Sequence, residues 1–144
     1  MSNKIIGIDL GTTYSCVAII RNGEVEIVPD ISQTKKIIPS IVCFKDFNQR
    51  LIGWPAKNNR IQFYESTMFD SKRLLGYKFK DEHVQNDIQG WPIKVIEDKK
   101  TGKPEYVIKI RNEEKKYLPE DVASMILGYL KTNADIYNSN NEIK

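Results

Sequence analysis

The chain has 144 residues, 40% of them hydrophobic and 28% charged, which is enough to bury one core and excludes wholesale disorder. Its net charge of +3 is spread along the sequence rather than gathered into one arm, so neither nucleic acid nor an anionic membrane is expected as a partner. The start has no apolar run of signal-peptide length, and no later window approaches a membrane span, so a cytosolic or nuclear chain is expected. With His83 as the single histidine, a zinc centre or a serine-type triad has too few ligands or bases, and its polar surroundings predict an exposed loop. Cys16 and Cys43 lie in apolar runs without C-x-x-C spacing and read as buried, reduced thiols.

The first third predicts strands over 5–10, 14–20 and 25–28, the last two joined by Asn22-Gly23, a strong hairpin signal. A loop over 32–36 leads to Ile38-Pro39-Ser40, and further strands follow at 41–44 and 51–53, so the start reads as one β-meander. Residues 55–79 turn to short helices and loops, with 68–76 the most structured piece and Gly76 a helix stop. Strands over 91–96 and 106–110, separated by a Lys-rich turn, form a small attached sheet. Pro119-Glu120-Asp121 then opens an amphipathic helix, with proline and acids where a helix start favours them. Val122, Met125, Ile126, Tyr129 and Leu130 recur at helical spacing and predict a buried stripe of core packing. Residues 138–144 read as a polar tail, and the chain has no internal repeat.

One local pattern carries chemistry. The apolar run that begins at Ile5 meets Asp9 and then Gly11-Thr12-Thr13 before the next strand. A carboxylate is an unusual end for a buried strand, and a turn of small hydroxyl residues leaves backbone N–H groups free to cradle phosphate. Asp9 beside it can hold a hydrated magnesium against the same phosphates. The alternative is an ordinary hairpin turn that binds nothing. The chain has neither G-x-x-x-x-G-K-[ST] nor G-x-G-x-x-G, so P-loop and dinucleotide-binding readings are unsupported and any nucleotide site is of the hairpin kind.

The run Gly7-Ile8-Asp9-Leu10-Gly11-Thr12-Thr13-Tyr14-Ser15-Cys16-Val17 resembles the first signature of the 70-kDa heat-shock chaperone family. Pro39-Ser40, Arg50-Leu51-Ile52-Gly53, Ala56-Lys57-Asn58, the segment from Phe69 to Gly76, Trp91-Pro92 and the segment from Leu118 to Met125 follow in the family's order. The resemblance implies an α/β fold: a partial actin-like, ribonuclease H-like ATPase lobe made of a β-meander, a small α+β subdomain and a C-terminal helix. It implies ATP or ADP with Mg2+ as cofactors, the backbone of Gly11, Thr12, Thr13 and Tyr14 contacting the phosphates, and Asp9 holding magnesium through water. It also implies that the Thr12 hydroxyl sits near the terminal phosphate and that Lys72 orients the attacking water. The partners it implies are unfolded polypeptides, J-domain proteins and nucleotide-exchange factors, and its form resembles cytosolic or endoplasmic-reticulum members, of which a cytoplasmic one is expected. A sugar kinase or actin-like filament protein would share the hairpin but not the Lys72 segment.

The second phosphate hairpin, the adenosine-binding segment and the peptide-binding domain of the family have no counterpart in these residues. Residues 1–144 are therefore expected to be one partial nucleotide-binding domain, the first lobe only, with an open sheet edge and no appreciable ATP turnover by itself. In an intact protein it would be the ATP-binding part of a protein-folding chaperone; alone it would be a non-catalytic module that binds a full-length chaperone or co-chaperone. Ile37-Ile38 stands where the family has two threonines, which removes two hydroxyls from the nucleotide side.

Overall fold

The computed structural model describes residues 5–31 and 35–141; residues 1–4, part of the loop at 32–36 and the last three residues of the expected polar tail lie outside it. Among the described residues three antiparallel sheets and three α-helices share one hydrophobic core. The first sheet holds β1 (Ile6–Asp9), β2 (Tyr14–Arg21) and β3 (Glu24–Ile27) in that order, with β4 (Ile38–Pro39) pairing with the first two residues of β2. Asn22 and Gly23 both take positive φ, 52° and 82°, as a tight hairpin turn between right-twisting strands requires.

The expected single meander is corrected at this point. β5 (Val42–Asp46) and β6 (Gln49–Ile52) leave the first sheet and pair with β7 (Thr67–Met68) in the order β6-β5-β7. The pairing with β2 ends just past Pro39, at the Ser40 N–H to Thr13 carbonyl bond, and Gly53, at φ 71°, turns the chain into α1 (Trp54–Asn59). The third sheet is β8 (Lys94–Glu97), β9 (Pro104–Ile110) and β10 (Glu113–Tyr117). Periodicity could not reveal β10, because Glu113, Glu114, Lys115 and Lys116 are all exposed. It forms because the Arg111-Asn112 turn, with Arg111 at φ 56°, sets it against β9, and its four charged residues suit an edge strand.

His83 is exposed, as expected, but lies in α2 (Glu82–Ile88) rather than a loop, its ring against that of Tyr77 at 3.9 Å between centroids. Residues 71–73 make a single 3-10 turn, and Gly76 follows it at φ 82°. Both cysteines are free, Cys43 buried and Cys16 only half-buried.

The last helix, α3 (Pro119–Asn141), runs through residues read as tail. Its first turn is closed by the Asp121 carboxylate, which accepts the N–H of Leu118 at 2.8 Å. Val122, Ile126 and Leu130 are fully buried, Met125 and Tyr129 half-buried, and Ala123, Asn133 and Ala134 join the stripe. The helix touches strands of all three sheets, so burying this one face joins them into one unit. The hydroxyl of Tyr137 reaches Glu26 on β3, extending that docking past residues that carry no apolar signal. Among the described residues β1 pairs with β2 alone, and its outer side borders a groove with Leu75, Ala123 and Leu127 on its walls. Among the described residues β1 is therefore one edge of its sheet, with β3 the other.

Candidate functional site

The turn between β1 and β2 is built against the end of β4. Backbone pairing of Tyr14 with Pro39 and of Ser15 with Ile38 brings Ser40 under the turn. The Ser40 N–H then donates to the Thr13 carbonyl at 2.9 Å, and its hydroxyl donates to the Gly11 carbonyl at 2.8 Å. The Ser15 hydroxyl lies 2.8 Å from that of Ser40, in a site from which both side chains are almost fully shielded from water. Every polar group of this small network is satisfied locally, which holds the turn in one shape.

Gly11 is required there for space. A Cβ on it would stand 2.0 Å from the Tyr14 carbonyl oxygen, far inside contact distance, so the backbone folds across the place a side chain would fill. Asp9 ends β1 opposite Cys16, exposed and without an ion pair among the described residues. A free carboxylate next to a tight turn of small residues can bind an anion together with its cation.

Beside the turn opens a cavity of about 500 Å³. Thr12, Thr13, Ser40, Arg60, Thr67 and Asp70 line it among mostly apolar surface from Ile41, Ile61, Tyr64, Phe69 and Pro92. Asp70 sits at φ 52°, a conformation that aspartate tolerates better than most residues, and starts the 3-10 turn. Burial raises its carboxyl pKa, with Arg73 opposing and Asp87 reinforcing the rise. The same Arg73 pairs with Asp70 at 3.5 Å and with Asp87 at 3.8 Å. The carbonyl before Asp70 accepts the Tyr106 hydroxyl at 2.7 Å, which ties this turn to β9.

The sequence-predicted residues divide into two groups. Gly11, Thr12 and Thr13 share the clamped turn, with Asp9 at its mouth. The Tyr14 side chain turns outward, where its hydroxyl accepts a hydrogen bond from Lys57 at 2.6 Å. Lys72 is exposed on the 3-10 turn; the cavity is lined by Asp70, two residues earlier, and not by Lys72 itself. Ser40, Arg60 and Asp70 are the residues that sequence reasoning missed. The signal for Ser40 was its place after a proline at the start of a strand, and its role depends on a contact with Gly11, 29 positions away. Asp70 had only its neighbours, since a left-handed backbone is not legible in a run of ordinary residues.

The comparisons agree on what such a fold and turn belong to. The family model described as Hsp70 protein matches residues 5–144. The chain is 46% identical over 132 residues to "Heat shock 70 kDa protein 2" of Paracoccidioides lutzii, 92% of this chain and 20% of that protein. It is also 46% identical to "Heat shock cognate 70 kDa protein 3" of Dictyostelium discoideum, covering 21% of it, and 42% identical to the human "Putative heat shock 70 kDa protein 7", covering 35%. This chain belongs to the Hsp70 family. It spans about a fifth to a third of the length of the relatives it matches.

Proposed function

We propose that these residues are the phosphate-gripping first lobe of the nucleotide-binding domain of an ATP-dependent protein-folding chaperone. The observation that carries the reading is the turn at Gly11 to Tyr14, held by Ser40 and folded so closely that only glycine fits at 11, with a free carboxylate at Asp9. The residues present suit a magnesium nucleotide: the turn offers small side chains and main-chain donors, Thr12 and Thr13 offer hydroxyls, and Asp9 offers an anion for a hydrated cation. Bound magnesium would supply charge neutralisation at the phosphates.

In this reading Gly11, Thr12, Thr13 and Tyr14 hold the β- and γ-phosphates of ATP or the diphosphate of ADP. Lys72 acts as the fixed cation that positions the attacking water, with Thr12 beside the terminal phosphate. Phosphoryl transfer is mainly positioning and electrostatics, so a single ordered lysine can carry much of the rate. The actin-like, ribonuclease H-like assignment of the lobe belongs to the same proposal, supported by family membership and by the helix-backed antiparallel strands. So do a cytoplasmic location and, for the whole chaperone, unfolded polypeptides, J-domain proteins and nucleotide-exchange factors as partners.

A second reading is favoured by the open edge of β1. Its unpaired outer side and the neighbouring groove suit a non-catalytic module that binds a full-length chaperone or a co-chaperone by strand addition. Titration calorimetry of the 144-residue chain with Mg-ATP, repeated with Asp9→Asn, separates the two. Micromolar binding weakened about tenfold or more by the substitution supports the nucleotide lobe. No heat from a chain that circular dichroism shows folded leaves the partner-binding reading. Neither predicts multiple turnovers by these residues alone; turnover abolished by Lys72→Ala would overturn that expectation.

A further inference from the structure

Lys72 stands on a single 3-10 turn, too short to hold itself in place, and that turn starts from a strained residue. Asp70 takes φ 52°, a left-handed backbone that persists only where the surroundings impose it. Inside the segment, the Arg73 N–H donates to the Asp70 carbonyl at 2.9 Å, and the N–H groups of Leu74 and Leu75 both donate to the Ser71 carbonyl. The Arg73 side chain meets the Asp70 carboxylate at 3.5 Å, but it is exposed, so water weakens the pair.

A tie from outside the segment comes from Tyr106. It lies on β9 between Val95 of β8 and Tyr117 of β10, so two ladders fix its backbone. Its ring stacks on that of Trp91, with 6.2 Å between centroids and 8° between planes, and Trp91 packs in turn against Phe69 at 4.9 Å. The Tyr106 side chain is fully buried, and its hydroxyl donates to the Phe69 carbonyl at 2.7 Å. That carbonyl belongs to the peptide plane from which the Asp70 φ is measured, so the bond pins one end of the strained rotation. Phenylalanine would fill the same space without the cost of burying a hydroxyl, so what the oxygen adds is this bond. Burial, reinforced by the Asp70 charge, raises the phenol pKa, and the group remains a donor at neutral pH. The segment held in this way faces the phosphate turn: Phe69 and Asp70 line the same cavity as Thr12 and Thr13.

We propose that Tyr106 is a positioning residue for the turn that carries Asp70 and Lys72, its hydroxyl holding the peptide before Asp70 so that Lys72 is presented to the terminal phosphate of a bound nucleoside triphosphate. The inference rests on the nucleotide reading above and adds to it a role for the third sheet. Tyr106 is buried and acts through Lys72. Stabilising a phosphate depends on close placement of charge, so a hydrogen bond remote from the ligand alters affinity by moving the cation. ADP lacks the terminal phosphate, and its binding is indifferent to where Lys72 stands.

The test is titration calorimetry with Mg-ATP and with Mg-ADP on the 144-residue chain, Tyr106→Phe, Lys72→Met and the double variant, each shown folded by circular dichroism. Lys72→Met is expected to weaken Mg-ATP binding about tenfold. Tyr106→Phe should weaken it about threefold or more, and both should leave Mg-ADP within about twofold of wild type. In the Lys72→Met background Tyr106→Phe should cost nothing further, because the cation it places is gone. A second readout needs no nucleotide: amide exchange at Arg73, Leu74 and Leu75 should quicken in Tyr106→Phe while the Ser40 N–H, bonded to Thr13, keeps its rate. In the unaltered chain Mg-ATP should slow exchange at these three amides and Mg-ADP should not. Equal losses for the two nucleotides, additive losses in the double variant, or unchanged exchange in Tyr106→Phe overturns the proposal. A wild-type chain that binds neither nucleotide overturns the nucleotide reading and this inference with it, and that outcome is told apart because it shows before any variant is made.

Discussion

The Ser40 hydroxyl donates to the Gly11 carbonyl at 2.8 Å, and through that bond the start of the second sheet's strand run controls the shape of the first hairpin turn. The bond joins two parts of the chain that pair for only two residues, and it acts together with the Ser40 N–H to Thr13 carbonyl bond and the Ser15–Ser40 hydroxyl contact. Ser40→Ala leaves the Gly11 carbonyl and the Ser15 hydroxyl short of a partner in a shielded place. A cost of about 1–3 kcal/mol is expected, read as a fall of several degrees in Tm. Mg-ATP affinity should drop further than the stability loss explains, and an unchanged affinity would separate the turn's shape from its binding.

Gly11→Ala tests the turn from the other side. A methyl group placed 2.0 Å from the Tyr14 carbonyl oxygen must push the backbone apart, at about 1–3 kcal/mol as for other overpacked sites. The sheet should survive, with unchanged far-UV circular dichroism, while nucleotide binding is lost. Retained binding would mean that the phosphates do not lie on this turn.

Tyr14 should ionise below the usual tyrosine range because Lys57 hydrogen-bonds its oxygen and three cations surround it. The shift is a lowering, so any stability it contributes is complete only above the unfolded value of 10.0 and disappears as pH falls through the lowered folded value; at neutral pH it contributes none. A phenolate absorbance titration, taken as the difference between the wild type and Tyr14→Phe, should show the low value. Lys57→Met should return it toward 10.0.

Asp70 behaves in the opposite sense. Its carboxyl pKa is raised by burial, so its contribution to stability is full below the unfolded value of 3.8 and is lost as pH rises through the raised folded value. The charged form is therefore an unfavourable occupant at neutral pH. Asp70→Asn keeps a residue that tolerates positive φ and should leave Tm unchanged or higher at pH 7. Arg73→Ala, by removing the charge that opposes the rise, should shift the Asp70 titration further up and lower stability at pH 7.

Ile126→Ala tests how far the sheets depend on α3. Ile126 is fully buried in the face that touches all three, so truncation should cost about 2–5 kcal/mol in denaturant unfolding and should act on the sheets together in one transition. Separate transitions would mean that the sheets fold as independent units.

Local chemistry made much of this protein legible in its sequence. Asn22-Gly23 dictates a hairpin because few other pairs accept positive φ twice in succession, and the spacing of Val122, Ile126 and Leu130 allows one helical face. Asp9, Gly11 and the threonines could be singled out because each carries its oddity in its own residue type. The long-range pairings could not be read in the same way. That the strand run divides at Pro39, that four charged residues form β10, that Ser40 reaches Gly11 and that Tyr106 reaches Phe69 all depend on contacts between distant segments. Periodicity and propensity report what a residue prefers among its neighbours in the chain. Which distant group it meets is decided by how the sheets pack beneath α3, and only the tertiary structure holds that information.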